Sequence, residues 1–260
     1  MFVSRASPFL TKSLGPSVRR ASSYIFNWGV GSSYQLGHEK FDTEDSYLSA
    51  GLYRQQLPRR LVNSGRIQKV CFGEGFGIGV TTNAQLLAWG KDYPGGAALP
   101  GDLRTPTLVD TEFAVADLAS GNVHCGAVDS EGRAYLWGDN GNRMGGGGQL
   151  GNNSYSASAS PTLVKSLVEA GVKVVALSCG EQHTLFLADD GSVYSCGMAE
   201  YGRLGILENW NTDVLVPQQL TEVFDGEKVT QVSAGFNHSM ALTESGKVFT
   251  WGRNDQGQVR

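Results

Sequence analysis

Apolar and polar positions along this chain fall into one pattern that recurs four times. GEGFGIGVTTNAQLLAWG (Gly73 to Gly90), GNVHCGAVDSEGRAYLWG (Gly121 to Gly138), GEQHTLFLADDGSVYSCG (Gly180 to Gly197) and GFNHSMALTESGKVFTWG (Gly235 to Gly252) align without a gap. Each copy opens with an apolar, β-prone run, such as Thr184-Leu185-Phe186-Leu187. A turn follows that carries Gly132, Gly191 or Gly246, with Ala84 in the first copy. A second β-prone run closes on Trp-Gly in three copies and on Cys196-Gly197 in the other. Short apolar runs flanking a glycine turn predict a β-hairpin, because glycine supplies the positive φ that such turns use.

Upstream of each leading glycine lies a further apolar segment: IQKVCF from Ile67, VADLAS from Val115, VVALSC from Val174 and VTQVSA from Val229. The repeat cores therefore run over 67–90, 115–138, 174–197 and 229–252, and their leading glycines are 48, 59 and 55 positions apart. Self-similarity at this period predicts a solenoid or a propeller. A proline-led entry follows each spacer, at Pro58, Pro106, Pro161 and Pro217. Proline suits an edge strand, where no backbone donor is required, so it supplies a short fourth strand. Four strands per unit make a propeller blade.

Composition fits an all-β chain rich in turns, with 35 glycines in 260 residues. Charge is uneven. Arg5, Lys12, Arg19 and Arg20 stand in residues 1–38 without an acid, leaving 17 basic against 25 acidic side chains in the remainder. That acidic balance argues against nucleic-acid binding by bulk electrostatics. No apolar run approaches the ~18 residues of a membrane span.

Residues 1–23 read as a mitochondrial presequence. They hold six serines and no acid, with Arg5, Lys12 and Arg19 on one side of a helical wheel and Val3, Leu10, Leu14 and Val18 on the other. Cleavage is expected near Arg20 to Ser23, and mitochondrial localisation with it. The repeat region is expected over 24–260.

Tyr24-Ile25-Phe26-Asn27-Trp28-Gly29 matches the closing strand of the repeat, and VGSSYQLG continues it to Gly37. The Gln-Leu-Gly element returns at Gln149-Leu150-Gly151 and, altered, at Arg203-Leu204-Gly205. The combination of WGxGxxxQLG, a proline entry, GxxH[ST]xAL, a glycine turn and WG resembles the regulator of chromosome condensation repeat, over about nine-tenths of the chain. The resemblance implies a β-propeller of seven four-stranded blades, of which about four to five are represented here. The reading is thus a partial ring from the N-terminal portion of a longer protein, with a ring of two chains as the alternative. The second spacer, from Lys91, lacks Gln-Leu-Gly, which predicts a shorter, differently turned blade.

The four cysteines show no CxxC spacing and are expected to be free, buried hydrophobes. His124, His183 and His238 share one repeat slot, with Phe76 in the first copy. One histidine per blade predicts a structural bond within the repeat, not a shared metal. His38 is expected on an exposed loop. Plant ultraviolet-sensing members of the family carry Gly-Trp-Arg-His-Thr at the slot where this chain has GNVHC, GEQHT and GFNHS, so no chromophore is expected. No catalytic constellation and no cofactor or small-molecule site is indicated. Gly145 to Gly148 lacks the Lys-Ser/Thr pair of a phosphate loop.

Function is expected in the long spacers, because loops on a rigid scaffold carry binding. Tyr47, Tyr53, Arg54, Arg104, Arg143 and Trp210 are the candidate partner-binding residues. The family resemblance implies a non-enzymatic mitochondrial scaffold or assembly factor, serving the respiratory chain or the mitoribosome. Its alternative is guanine-nucleotide exchange on a small or dynamin-like GTPase, as the founding member performs.

Overall fold

The structure, a computed structural model, describes residues 25–30, 34–38, 43–44, 53–61, 66–91, 93–94, 103–141, 146–206, 212–221 and 223–259. The presequence reading of residues 1–23 falls outside them. Five antiparallel sheets follow one another along the chain. The first combines β1 (Phe26–Val30), β2 (Thr43–Glu44) and β3 (Tyr53–Arg60) in the order β1-β3-β2. The second holds β4 (Ile67–Gly73), β5 (Phe76–Thr81), β6 (Leu86–Trp89) and β7 (Thr107–Val109). The third holds β8 (Val115–Ser120), β9 (His124–Asp129), β10 (Ala134–Gly138) and β11 (Ser158–Leu163). The fourth holds β12 (Val174–Cys179), β13 (His183–Ala188), β14 (Val193–Gly197) and β15 (Val214–Gln219). The fifth holds β16 (Val229–Ala234), β17 (His238–Thr243) and β18 (Val248–Gly252). These are blades 1 to 5 below.

The predicted hairpins form in register. Trp137 faces Cys125, Cys196 faces Thr184, and Trp251 faces Ser239 across their ladders. Gly132 (φ 81°), Gly191 (φ 89°) and Gly246 (φ 88°) hold the turns in the left-handed region, and Ala84 takes the same conformation at φ 60°. The second spacer does end in a shorter fourth strand, β7 having three residues.

Prolines sit where a ladder donor is not needed. In β11 and β15, outermost in their sheets, the register shifts opposite Trp137 and Cys196, and Pro161 and Pro217 lie in those bulges. Pro58 lies in the matching bulge of β3, opposite Trp28. An inserted bulge bends its strand and leaves unpaired positions that proline fills, in β3 as well, although β3 lies between β1 and β2 and not at the edge expected for Pro58.

The sheets pack face to face, with the leading strands β4, β8, β12 and β16 each touching the next. Among the described residues the buried apolar side chains divide into separate clusters. One apolar cluster joins blades 2 and 3 through Phe76, Ile78, Leu118, Ala127 and Trp137. Another joins blades 3 and 4 through Val128, Leu136, Leu177, Phe186 and Cys196. A third joins blades 4 and 5 through Leu187, Val193, Val229 and Ala241.

One departure from the all-β expectation is a short helix, α1 (Lys165–Glu169), between β11 and β12. Good helix formers follow the edge strand there, Leu167 turns inward, and Gly171 (φ 71°) ends the helix by donating to the Val168 carbonyl. The four cysteines are free, three of them buried.

Candidate partner-binding surface

The repeat slots join blade to blade, so the histidine bond expected within each repeat runs instead to the next one. Thr184 Oγ1 donates to the Gln149 carbonyl at 2.8 Å, and His124 Nε2 of the preceding blade lies 2.9 Å from the same oxygen. The hydroxyl proton is already used, so His124 must donate from Nε2. One junction on, Ser239 Oγ donates to the Arg203 carbonyl at 2.8 Å, with His183 Nε2 2.9 Å away. Burial lowers both histidines to a pKa of about 3, so they are neutral at ordinary pH.

Gln35, Gln149 and Arg203, the first residues of the Gln-Leu-Gly elements, therefore act through their main-chain carbonyls. Trp89 Nε1 donates to Gln35 O at 2.8 Å and Trp251 Nε1 to Arg203 O at 2.9 Å, while Cys196 Sγ approaches Gln149 O at 3.6 Å. Where the second spacer lacks this element, Trp137 Nε1 donates instead to Tyr93 Oη at 3.1 Å. Its blade carries Cys125 in the hydroxyl slot, and the preceding blade carries Phe76 in the histidine slot. Acceptor, hydroxyl and imidazole are lost together, so the loss of one does not strand the others.

The leading glycine of each core allows this closeness. A Cβ on Gly121 would lie 2.8 Å from His124 Cε1, and one on Gly235 would lie 2.6 Å from His238 Nε2. Neighbouring blades also share main-chain bonds here: Glu74 N donates to Asn122 O at 2.9 Å, and Asn122 N to Gly180 O at 3.2 Å.

Beside these loops a cavity of about 600 Å³ opens between blades 2 and 3, lined by Glu74, Pro94, Asn122, Val123, Gly138, Asp139 and residues 157–159. Glu74 accepts a bond from Asn122 Nδ2 at 3.0 Å, and Asp139 Oδ1 accepts from Asn140 N at 2.8 Å. Two exposed aromatic rings, Phe236 (58%) and Tyr201 (46%), stand at the junction of blades 4 and 5.

Tyr47, Arg143 and Trp210 lie outside the described residues. Tyr53 and Arg54 stand in β3, where they pair with Glu44 and Thr43, and so belong to a strand rather than to a loop. Arg104 is exposed in a turn, its guanidinium 5.0 Å from the centre of the Tyr34 ring. Of the six candidates, Tyr53, Arg54 and Arg104 are thus the ones among the described residues. His38 corrects an expectation: it is 1% exposed. A Cβ on the preceding Gly37 would meet Leu61 and the Trp89 ring, so the chain at this point is pressed inward against blade 2. Glu74, Asp139, Tyr201 and Phe236 were not singled out from sequence. The signal for Phe236 was present, since an aromatic ring there replaces the polar Glu74, Asn122 and Glu181 of the other copies.

Residues 131–187 and 190–242, and again 174–203 and 229–258, match the regulator of chromosome condensation (RCC1) repeat. The ultraviolet-B receptor UVR8 of Arabidopsis thaliana is 30% identical over 241 residues, which are 90% of this chain and 50% of that protein. RUG3, a mitochondrial RCC1 domain-containing protein of the same plant, is 30% identical over 246 residues, covering 90% of this chain and 51% of RUG3. The chain spans about half the length of both. The structure of Prp20p from Saccharomyces cerevisiae superposes with a TM-score of 0.69 at 22% identity, over 88% of this chain and 54% of that one. That likeness confirms the fold expected from the repeats, a partial β-propeller.

Proposed function

Because the chain belongs to the RCC1-repeat family, we propose that it is a non-enzymatic mitochondrial propeller that binds protein partners as a scaffold or assembly factor, for the respiratory chain or the mitoribosome. One observation carries the reading. The residues that look most like chemistry, His124, Thr184, His183 and Ser239, are consumed in bonds between blades. What remains for contact is the spacer-bearing surface, with its cavity beside Glu74 and Asp139 and its exposed Tyr201 and Phe236. Exposed aromatic residues on a rigid frame are favoured anchors in protein interfaces.

The mitochondrial assignment is supported by the mitochondrial relative RUG3 and by the acid-free, amphipathic residues 1–23. Among the described residues no helix is long and apolar enough to cross a membrane.

The test is twofold. The epitope-tagged protein is followed through native fractionation of mitochondria, where it is expected to comigrate with ribosomal subunits or respiratory assembly intermediates. Purified protein is also added in catalytic amounts to mitochondrial GTPases loaded with labelled GDP. Release at the uncatalysed rate is expected. Catalysed release would replace the scaffold reading with nucleotide exchange.

A further inference from the structure

At the junction of blades 4 and 5 a buried guanidinium is incompletely bonded. Arg203 stands where Gln35 and Gln149 stand in the other two elements of its kind, yet its side chain is 1% exposed. Its Nε donates to the Glu200 carbonyl at 2.9 Å, Nη2 lies 3.5 Å from the Glu200 carboxylate, and Nη1 is buried without an acceptor. Burial lowers its pKa, opposed by Glu200 and Glu181. The architecture does not require this charge. Gln149 serves at the preceding junction with its Nε2 bonded to the Asp139 carbonyl at 2.9 Å, and both residues act on the next blade through the main chain.

A second cation is brought to the same place. The half-exposed ring of Tyr201, held at φ 63°, has the guanidinium carbon of Arg203 5.6 Å from its centre and that of Arg253 4.9 Å away. Arg253 is fixed there by its amide, which donates to the Asn237 carbonyl at 2.9 Å beside Phe236. Around the pair stand Glu200, Glu181, whose pKa burial raises, and Asp255, bonded to Arg253. Glu200 is the carboxylate nearest Arg203. Its side chain is 47% exposed and its contact is long, so it fills the guanidinium edge loosely.

We propose that Arg203 and Arg253, both approaching the Tyr201 ring, form an oxyanion-binding site, in which a carboxylate or phosphate group displaces Glu200 from Arg203. A planar guanidinium takes such a group through two parallel hydrogen bonds, and a buried donor without an acceptor is what the ligand satisfies. Glu200 swings to water when displaced, and Arg253, whose Nε and Nη2 are bonded to Asp255, lends its charge to the ligand from the exposed side. The inference stands apart from the scaffold reading, since it concerns the group bound and not the molecule that brings it.

Sodium phosphate and sodium acetate are the probes. Each is titrated into the ¹⁵N-labelled full-length protein against sodium chloride at matched ionic strength, following the side-chain Nε–Hε resonances of Arg203 and Arg253. Saturable shifts of both resonances are expected. Phosphate alone would identify a phosphorylated ligand, and acetate as well would identify acidic side chains. Glu200→Gln removes the internal competitor and is expected to tighten binding about fivefold, roughly 1 kcal/mol. Arg203→Gln installs the residue of the preceding junction, so it should keep the fold and abolish the Arg253 shift. Shifts that chloride reproduces, binding that survives Arg203→Gln, or no gain from Glu200→Gln would each overturn the proposal.

Discussion

Thr184 gives its proton to the Gln149 carbonyl and receives one from His124, both of the preceding blade, so neither neighbour can be replaced alone. Thr184→Val keeps the shape but leaves His124 Nε2–H and the Gln149 carbonyl buried without that partner. A buried unsatisfied donor costs about 1–3 kcal/mol, and denaturant unfolding should show a loss of that order. Blades 2 and 3 already carry the apolar version of the pair, Phe76 with Cys125. The double variant His124→Phe/Thr184→Cys should therefore be more stable than the sum of its single effects, a coupling that a double-mutant cycle measures. Strict additivity would show that the pair is not a unit. Buried neutral imidazoles also set a pH limit. His124 and His183 titrate at about 3 when folded and near ~6.5 when unfolded. Between those values the unfolded chain binds more protons, so their contribution is complete above about pH 6.5 and declines as pH falls toward 3. Unfolding free energies from urea titrations between pH 7 and 4.5 should fall accordingly, by up to about 1.4 kcal/mol per pH unit for each histidine.

Strands at one repeat position differ in pattern because their surroundings differ. β13 is buried at every residue, whereas in β17 His238, Met240 and Leu242 alternate with buried Ser239, Ala241 and Thr243. A sheet covered on both faces demands near-continuous apolar residues, and one covered on a single face shows alternation. Ala84 marks another local difference. It holds the left-handed turn that glycine holds in the other three hairpins, and its carbonyl accepts from Val115 N at 2.9 Å across the junction. Ala84→Gly is expected to raise stability by about 1 kcal/mol, because a Cβ in that region costs about this much; a thermal midpoint that falls would contradict it. Hairpins, turn glycines and the edge prolines Pro161 and Pro217 were legible in the sequence because each is a local demand on φ or on a ladder donor. The burial of His38, the helix at Lys165–Glu169 and the strand position of Tyr53 and Arg54 were not, because each depends on packing between distant segments. Of the binding surface little was legible. Tyr201 and Phe236 gain meaning only when the fold sets their loops beside each other at one junction.

Across the molecule, stability resides at the seams. Every apolar cluster combines side chains from two successive sheets, and the first backbone amide of β8, β12 and β16 bonds to the turn of the sheet before it. A blade with two neighbours is thus anchored twice, and one at the margin of the described stack only once. Such an assembly behaves as a row of coupled units whose opening free energies depend on nearest neighbours. Deuterium uptake should therefore be slow at the amides of β9 and β13, each held between two neighbouring sheets, and faster in the turn at Glu131–Gly132, with uniform exchange as the contrary result. A wound at one seam should accordingly slacken the two leaves that share it before it reaches the rest.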